Sequence, residues 1–417
     1  MVRLFLGSKT GQNLLAMYGV QVANYVLPLL TLPYLARVLG PEKFGTLAIV
    51  QSLAQYFFVL IEYGFSLTAT RDVARFRDDK ARLVEIVSGV LGTRFLMSVG
   101  VFVLAILLSQ IVGVLQNNAA LLWAGVFWAI VQGMNPIWYF QGHERMRKIS
   151  ALEILTKLLG FLGILTFVKH PDDVYKVLLI QGLASALVLI LSWRWILSEV
   201  GYIWPNYHRT KIYMQSGWSI FASSMFVNLY TSANNFILGV FVPPQQVAYF
   251  AGAEKITRAV ISLLQPLIRI FLSRFSYLVE KDLKAALALL EKNTLLFLVI
   301  GVIGTISVWI AAPLAVKLLL GKGYEPSVAI MYILSLIIIP VSLASVWGTQ
   351  WMIANGLDRL LLRIYMSAGL LNIFLAFVLV PKMGSIGLAV GVVVVEVFGA
   401  SMMWFALQRR GMWIKRR

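Results

Sequence analysis

The residues best suited to chemistry are cations in an otherwise apolar stretch. The stretch is residues 247–278. Its polar face, spaced as on one side of a helix, consists of the cations Lys255, Arg258 and Arg269 and the uncharged Ser262 and Gln265. At about 100° per residue, they fall within roughly 80° of one another around a helix. Each cation costs ~3 kcal/mol at the centre of a membrane on insertion scales. Three cations on one face therefore predict a hydrated, positively charged cavity and an anionic passenger.

Two further pairs of charges lie one helical turn apart at membrane depth. Glu153 precedes Lys157 by four residues, and Glu254 precedes Arg258 by four. Opposite charges at this spacing can neutralise each other on a helix. Each pair is therefore either structural or part of a functional site, and the sequence leaves both interpretations open.

The remaining charges at this depth have no acid–base neighbour one helical turn away. Glu62 and Arg94 lie at similar depth on adjacent predicted helices and could pair there. Lys255 and Arg269 have no acidic residue one turn away, so we expect no local partner for them. A charged residue within a membrane span is a functional candidate by default. The carboxylates that are candidates for proton or sodium coupling are Glu396, Glu62 and Glu254.

Amides and hydroxyls form a polar face on the first predicted helix of each half of the chain. These groups both donate and accept hydrogen bonds, as sugar hydroxyls do. The faces either join helices within the bundle or line a cleft and contact sugar. The candidate cleft-lining residues are Gln21, Asn24, Tyr25, Asn228, Thr231 and Asn235.

The composition excludes most soluble proteins. Of the 417 residues 59% are hydrophobic and 13% are charged, and the mean hydropathy is +0.82. There is no cysteine, and hence no disulfide. The net charge of +18 is spread over short loops, which argues against a nucleic-acid partner. No P-loop, metalloprotease or hydrolase motif occurs, so we predict no catalysis, no metal and no cofactor.

Apolar runs of about 20 residues recur from end to end, which is typical of a polytopic helical membrane protein. We predict an all-α fold with about twelve transmembrane helices. Their predicted bounds are 12–36, 44–68, 83–108, 119–141, 149–168, 174–197, 215–241, 246–273, 293–316, 326–353, 360–380 and 384–408.

The positive charges predict the orientation of the chain. With twelve spans, most loop lysines and arginines fall on the side of the termini, for example Arg71, Arg145 and Arg359. Cytoplasmic loops are enriched in lysine and arginine. We therefore expect both termini to lie in the cytoplasm.

The sequence also repeats weakly at an offset of 203–204 residues. Pro41 aligns with Pro244, and Arg71 aligns with Arg274. Two six-helix lobes in the same orientation would follow, as in transporters built from parallel repeats. The predicted lobes are residues 1–197 and 215–417, and a cytoplasmic linker over 198–214 joins them.

Five segments together resemble the polysaccharide-biosynthesis flippases. These are the O-antigen (Wzx-type) translocases of the multidrug/oligosaccharidyl-lipid/polysaccharide (MOP) exporter superfamily. The resemblance covers nearly the whole chain. The segments are residues 26–45, 62–75, 135–146 (NPIWYFQGHERM), 251–258 (AGAEKITR) and 266–278.

The resemblance implies a flippase that moves an undecaprenyl-diphosphate-linked oligosaccharide, such as an O-antigen unit of lipopolysaccharide, across the bacterial cytoplasmic (inner) membrane. It also implies a V-shaped, MATE-like bundle, alternating access, coupling to an H⁺ or Na⁺ gradient and other polysaccharide-assembly membrane proteins as partners. A cationic lumen is a trait of the family. It carries over to Lys255 and Arg258 and, by extension, to Arg94, Lys157 and Arg269.

Three other functions are alternatives. A multidrug exporter of the same superfamily would use acids and aromatic rings to bind organic cations, which a basic face opposes. The related lipid II flippases usually have fourteen helices. A membrane glycosyltransferase or polymerase would need a sizeable catalytic loop, and every predicted loop is short.

Overall fold

The computed structural model describes the backbone of residues 9–412. Side chains are described over the same range except at 9–26, 146–149, 219, 223, 226–227 and 229–232. Regular secondary structure in this described part is helical, as predicted. The chain divides into two compact units, Met1–Asn228 and Leu229–Arg417.

The first unit contains long helices interrupted by short breaks. Gly40, with φ of +65°, kinks the first helix just ahead of Pro41. A kink therefore replaces the loop expected between the first two predicted spans. The helices are α1 (Lys9–Glu62), α2 (Phe65–Arg75), α3 (Lys80–Ile111), α4 (Gly113–Gln116), α5 (Ala119–Gly133), α6 (Ile137–Gly142), α7 (Met146–Phe167), α8 (Val174–Val200) and α9 (Tyr207–Ser232).

The second unit is also built from long helices interrupted by short breaks. Gly384, with φ of +58°, kinks its last helix at the predicted start of the last span. The helices are α10 (Asn234–Phe241), α11 (Pro244–Ser262), α12 (Gln265–Lys281), α13 (Leu283–Ala315), α14 (Ser327–Ser335), α15 (Ile338–Ala344) and α16 (Asp358–Arg409), with π-helical turns at Val316–Leu320 and Ser345–Met352.

The local structure repeats between the two halves of the chain. The α1–α2 break corresponds to the α11–α12 break, and the α5–α6 break corresponds to the α14–α15 break. Asp79 caps α3 by accepting the Arg82 N–H, and Asp282 caps α13 by accepting the Ala285 N–H. These matches support the weak internal repeat read from the sequence.

Helix α9 belongs largely with the first unit. The Tyr63 ring stacks on Phe221 at 4.3 Å between ring centroids, and the Tyr63 hydroxyl donates to the Met214 carbonyl at 3.1 Å. The non-helical connection before α9 spans only residues 201–206 of the predicted linker. The two units divide after Asn228, inside the predicted seventh span.

Many of these helices could cross a membrane. In the described part, eight helices are long and apolar enough, or nine if the bent pair α11–α12 counts as one span. Two of the eight contain the kinks at Gly40 and Gly384. The chain is therefore a polytopic helical membrane protein, and the count of twelve spans stays a prediction.

The repeated caps make a stability prediction. Asp79→Ala and Asp282→Ala should each lower the free energy of unfolding by about 1 kcal/mol, because each leaves a first-turn N–H without its acceptor. Thermal unfolding of the purified protein in detergent would measure the loss. Asp78→Ala is the matched control, since the Asp78 side chain is 97% exposed and precedes the cap by one residue. An equal loss in that control would contradict the capping role.

Candidate functional site

The predicted basic face is split between two helices. The expected single helix over 246–273 is wrong: α11 ends at Ser262, α12 begins at Gln265, and their axes differ by 42°. Pro266 explains the break, because proline has no N–H to donate to the carbonyl of Ser262, one turn before it. Lys255 and Arg258 therefore lie on one straight segment, and Arg269 lies on the next.

The three cations are accessible in the second unit. Lys255 and Arg269 are exposed, and the Arg258 side chain is 40% exposed. Their neighbours on the other faces of α11, Phe250, Ala253 and Ile256, are buried. Helix α11 thus packs through its small and apolar residues and presents its cations outward.

A buried carboxylate organises the basic end of α11. Glu254 is 8% exposed, and its Oε1 accepts a hydrogen bond from Arg258 Nε at 2.8 Å. Its Oε2 accepts one from Asn235 Nδ2 of α10 at 3.3 Å. The predicted Glu254–Arg258 pair is therefore confirmed. This bond fixes the direction of the guanidinium, and Asn235 ties the carboxylate to the preceding helix.

The same carboxylate acts on Lys255. The Glu254 charge interacts electrostatically with the adjacent ammonium, so the expectation that Lys255 has no local partner is wrong. One carboxylate serves two cations here, which leaves this turn of α11 with a net positive charge. A phosphate oxygen can bind cations such as Lys255 and Arg258, because hydrogen bonds between ionised partners are about twice as strong as hydrogen bonds between neutral groups.

Two adjacent amides at the start of α10 hold this arrangement in place. Asn235 contacts Glu254, while Asn234 Oδ1 accepts a hydrogen bond from Asn372 Nδ2 of α16 at 2.8 Å. Asn234 and Asn372 are each 1% exposed. Neither residue was among the predicted site residues, although an asparagine inside an apolar span is itself a signal of interhelical bonding.

The other candidate cleft-lining residues are not brought together by described contacts. The side chains of Gln21, Asn24, Tyr25 and Thr231 lie outside the described residues. Asn228 Nδ2 donates to the Ser224 carbonyl of its own helix at 2.9 Å. Their contact with sugar stays a prediction.

The two remaining cation candidates belong to the first unit. Arg94 is 3% exposed and donates from Nη1 to the Asn135 carbonyl at 2.8 Å, so it faces the packed interior. Lys157 is half-buried on α7, one turn from Glu153, and the two charges attract each other. Neither cation lies on the basic face formed by α11 and α12.

The three candidate coupling carboxylates have different surroundings. Glu62 accepts hydrogen bonds from the N–H groups of Gly64 and Ser66, so the expected pairing with Arg94 is only a through-space attraction. Glu254 is held by Arg258 and Asn235 as described above. Glu396 is half-buried on α16 and interacts electrostatically with Tyr365.

The described residues contain no group of three or more histidine, aspartate or glutamate side chains placed to hold a metal ion.

The sequence pattern of a polysaccharide biosynthesis protein family matches residues 10–271, more than half of the chain. The chain belongs to this family. It is 29% identical, over 94% of its own length and 95% of the relative's, to a protein of Escherichia coli (strain K12) provisionally named an O-antigen transporter.

Solved structures share the fold of this polysaccharide biosynthesis protein. The lipid II flippase MurJ, in an inward closed conformation, superposes with a TM-score of 0.78 at 12% identity, over 95% of this chain and 87% of that one. An inward-facing multidrug resistance MATE family transporter of the MOP superfamily gives 0.68 at 12% identity, over 93% and 98%. The chain therefore shares its fold with these solved transporters.

The buried amide pair of this family member makes a second prediction. Asn234→Ala should lower the free energy of unfolding by about 1–3 kcal/mol, because it leaves Asn372 buried without its acceptor. The double variant Asn234→Leu/Asn372→Leu should lose less than the sum of the single variants Asn234→Leu and Asn372→Leu, since it removes both polar groups. Thermal unfolding midpoints of the four proteins would show this, and strict additivity would contradict the bond.

Proposed function

We propose that this protein is a flippase for an undecaprenyl-diphosphate-linked oligosaccharide, an O-antigen or similar surface-polysaccharide unit. It moves this lipid from the inner to the outer leaflet of the bacterial cytoplasmic membrane. Membership of the polysaccharide biosynthesis family, the O-antigen transporter as a relative and the MOP fold all support the proposal. The protein is a transporter rather than an enzyme.

The observation that carries the proposal is the carboxylate-oriented basic face of α11. Arg258 is fixed by Glu254, and Lys255 stands beside it with its side chain exposed. A diphosphate offers several oxygens, which arginine binds through its planar fork and lysine as a point charge. Arg269, on the next segment, extends the positive charge along the pathway of the headgroup.

The transport cycle follows from the chemistry of the passenger. The diphosphate enters from the cytoplasmic side and binds the cations of α11, the sugar occupies water, and the polyprenyl chain stays in lipid. The passenger must bind differently in the inward-open and outward-open states, since only differential affinity shifts such an equilibrium. The same basic face disfavours organic cations, which argues against the multidrug alternative.

The orientation and energy source complete the proposal. The excess of arginine and lysine on the side of the termini favours cytoplasmic termini. Without a P-loop, energy comes from the substrate gradient or from an H⁺ or Na⁺ gradient. Glu396 is the coupling site that we propose to test, because it is a half-buried carboxylate in the apolar helix α16.

Removing both cations of α11 tests the passenger site. Lys255→Ala/Arg258→Ala should reduce export of the lipid-linked glycan by roughly tenfold or more, since each charge-assisted bond contributes ~1.5–3 kcal/mol. Surface polysaccharide in a strain lacking its own copy would be measured against protein abundance in the membrane. Lys281→Ala, an exposed cation at the end of α12, is the matched control. Normal export by a double variant at normal abundance would refute the site.

Arg258→Lys separates charge from geometry. It keeps the cation but loses the planar fork, so export should fall between that of the wild type and that of the double variant. Export equal to that of the double variant at equal abundance would show that the bidentate geometry is decisive.

Neutralising Glu396 tests coupling. Glu396→Gln should flatten the dependence of transport on pH or on sodium, because the amide neither titrates nor binds a cation as a carboxylate does. Uptake of a fluorescent polyprenyl diphosphate glycan into proteoliposomes with imposed gradients would measure it. An unchanged dependence would remove Glu396 as the coupling site.

A further inference from the structure

The short helices α2 and α6 of the first unit pack against each other as one body. Thr70 Oγ donates to the Trp138 carbonyl at 3.3 Å. A Cβ added at Gly142 would lie 2.9 Å from the Thr70 carbonyl oxygen and 2.5 Å from the Val73 side chain. Only glycine permits this approach, so we call α2 and α6 together the paired segment.

A break in a longer helix joins each half of the paired segment to the rest of the unit. Before α2, Tyr63 and Gly64 have φ of 55° and 76°, and the left-handed conformation is costly for tyrosine. Before α6, the chain passes through Asn135 and Pro136, where proline removes a backbone donor. Both breaks release backbone groups within a membrane span.

One arginine contacts both breaks. Arg94 lies in the middle of the continuous helix α3, and its Nη1 donates to the carbonyl of Asn135 at 2.8 Å. Its guanidinium carbon lies 5.8 Å from the Phe65 ring centroid and 6.0 Å from the Trp138 ring, at the starts of α2 and α6. Cation–π contacts at this distance are strongest when the cation is desolvated, as it is here.

Neighbouring groups support this contact. Glu62 accepts the N–H groups of Gly64 and Ser66 and attracts Arg94 through space. Trp193 Nε1 donates to the Met134 carbonyl at 3.3 Å, beside the second break. The break before α6 is thus satisfied by two side chains from two different long helices.

We propose that Arg94 is a positioning residue for transport, because it fixes the paired segment to α3. The chain crosses between the paired segment and the longer helices at two breaks, residues 63–64 and 134–136, and these two breaks together form one hinge. The role of Arg94 is to hold α2 and α6 in register rather than to bind the diphosphate. Basic residues such as Arg71 and Arg75 predict that this segment faces the cytoplasm, where the inward-facing gate opens. The link to gating rests on the proposed function, whereas the hinge itself does not.

Hydrogen exchange of the purified, substrate-free protein tests the hinge directly. Arg94→Met should speed amide exchange in residues 63–76 and 134–143 by about tenfold, while exchange in α11 and α16 stays as in the wild type. Arg94→Lys should give an intermediate rate, because lysine keeps the cation and one donor. Arg71→Met is the control, since Arg71 is a half-exposed cation of α2 that bonds its neighbour Asp72.

The outcomes separate a hinge from general stability. Exchange that rises equally in both units, or less than twofold in the paired segment, would overturn the proposal. If Arg94→Met does not accumulate in the membrane, Phe65→Leu replaces it. That variant removes the α2 ring that Arg94 contacts, together with the contact of this ring with Tyr63 at 5.6 Å between centroids, and it should speed exchange in the same two regions.

A transport measurement then connects the hinge to function. Arg94→Met should lose glycan export at normal abundance, with partial rescue by Arg94→Lys. Regional exchange changes with unchanged export would leave the hinge standing but overturn its role in transport. Loss of export from Lys255→Ala/Arg258→Ala is independent of Arg94, so failure of the hinge and failure of the proposed function are distinguishable.

Discussion

A backbone group released inside a membrane has to find another hydrogen-bond partner, because lipid offers none. This constraint explains the positions of three polar side chains in the first unit. The Asn135 carbonyl is taken by Arg94, and the Met134 carbonyl by Trp193. The N–H groups after the first break are taken by Glu62. Side chains that read as candidates for substrate or ion binding are, in these places, what makes a broken helix tolerable.

The two units use charge differently under this constraint. In the first unit, Arg94 is buried and its charge is turned inward onto a carbonyl and two rings. In the second unit, the buried partner is the carboxylate of Glu254, and the cations Lys255 and Arg258 point outward. In the described part of α11, a buried carboxylate thus lies beside two accessible cations.

The difference in charge between the two units is set against a repeated arrangement of helix breaks. The first half is broken between α1 and α2 and between α5 and α6, and the second half is broken between α11 and α12 and between α14 and α15. An aspartate caps the helix after the first of these breaks in each half: Asp79 caps α3, and Asp282 caps α13. Equivalent breaks provide equivalent points of bending. What differs is the described charge: Arg94 contacts both breaks of the first half, whereas Lys255 and Arg258 lie within α11, ahead of its break, with their side chains accessible.

The sequence by itself determined that the protein is a polytopic helical membrane protein, and it pointed to the family. Apolar runs and Gly–Pro positions carry that information locally, and the Glu254–Arg258 pair followed from i,i+4 spacing alone. It did not determine the straightness of the basic helix, which Pro266 bends, or the partners of Arg94, Asn234 and Asn372. Those partners come from helices far apart in the chain. Only tertiary packing decides which cation is buried against a carbonyl and which is left accessible to an anion, because burial depends on neighbours that helical periodicity does not encode.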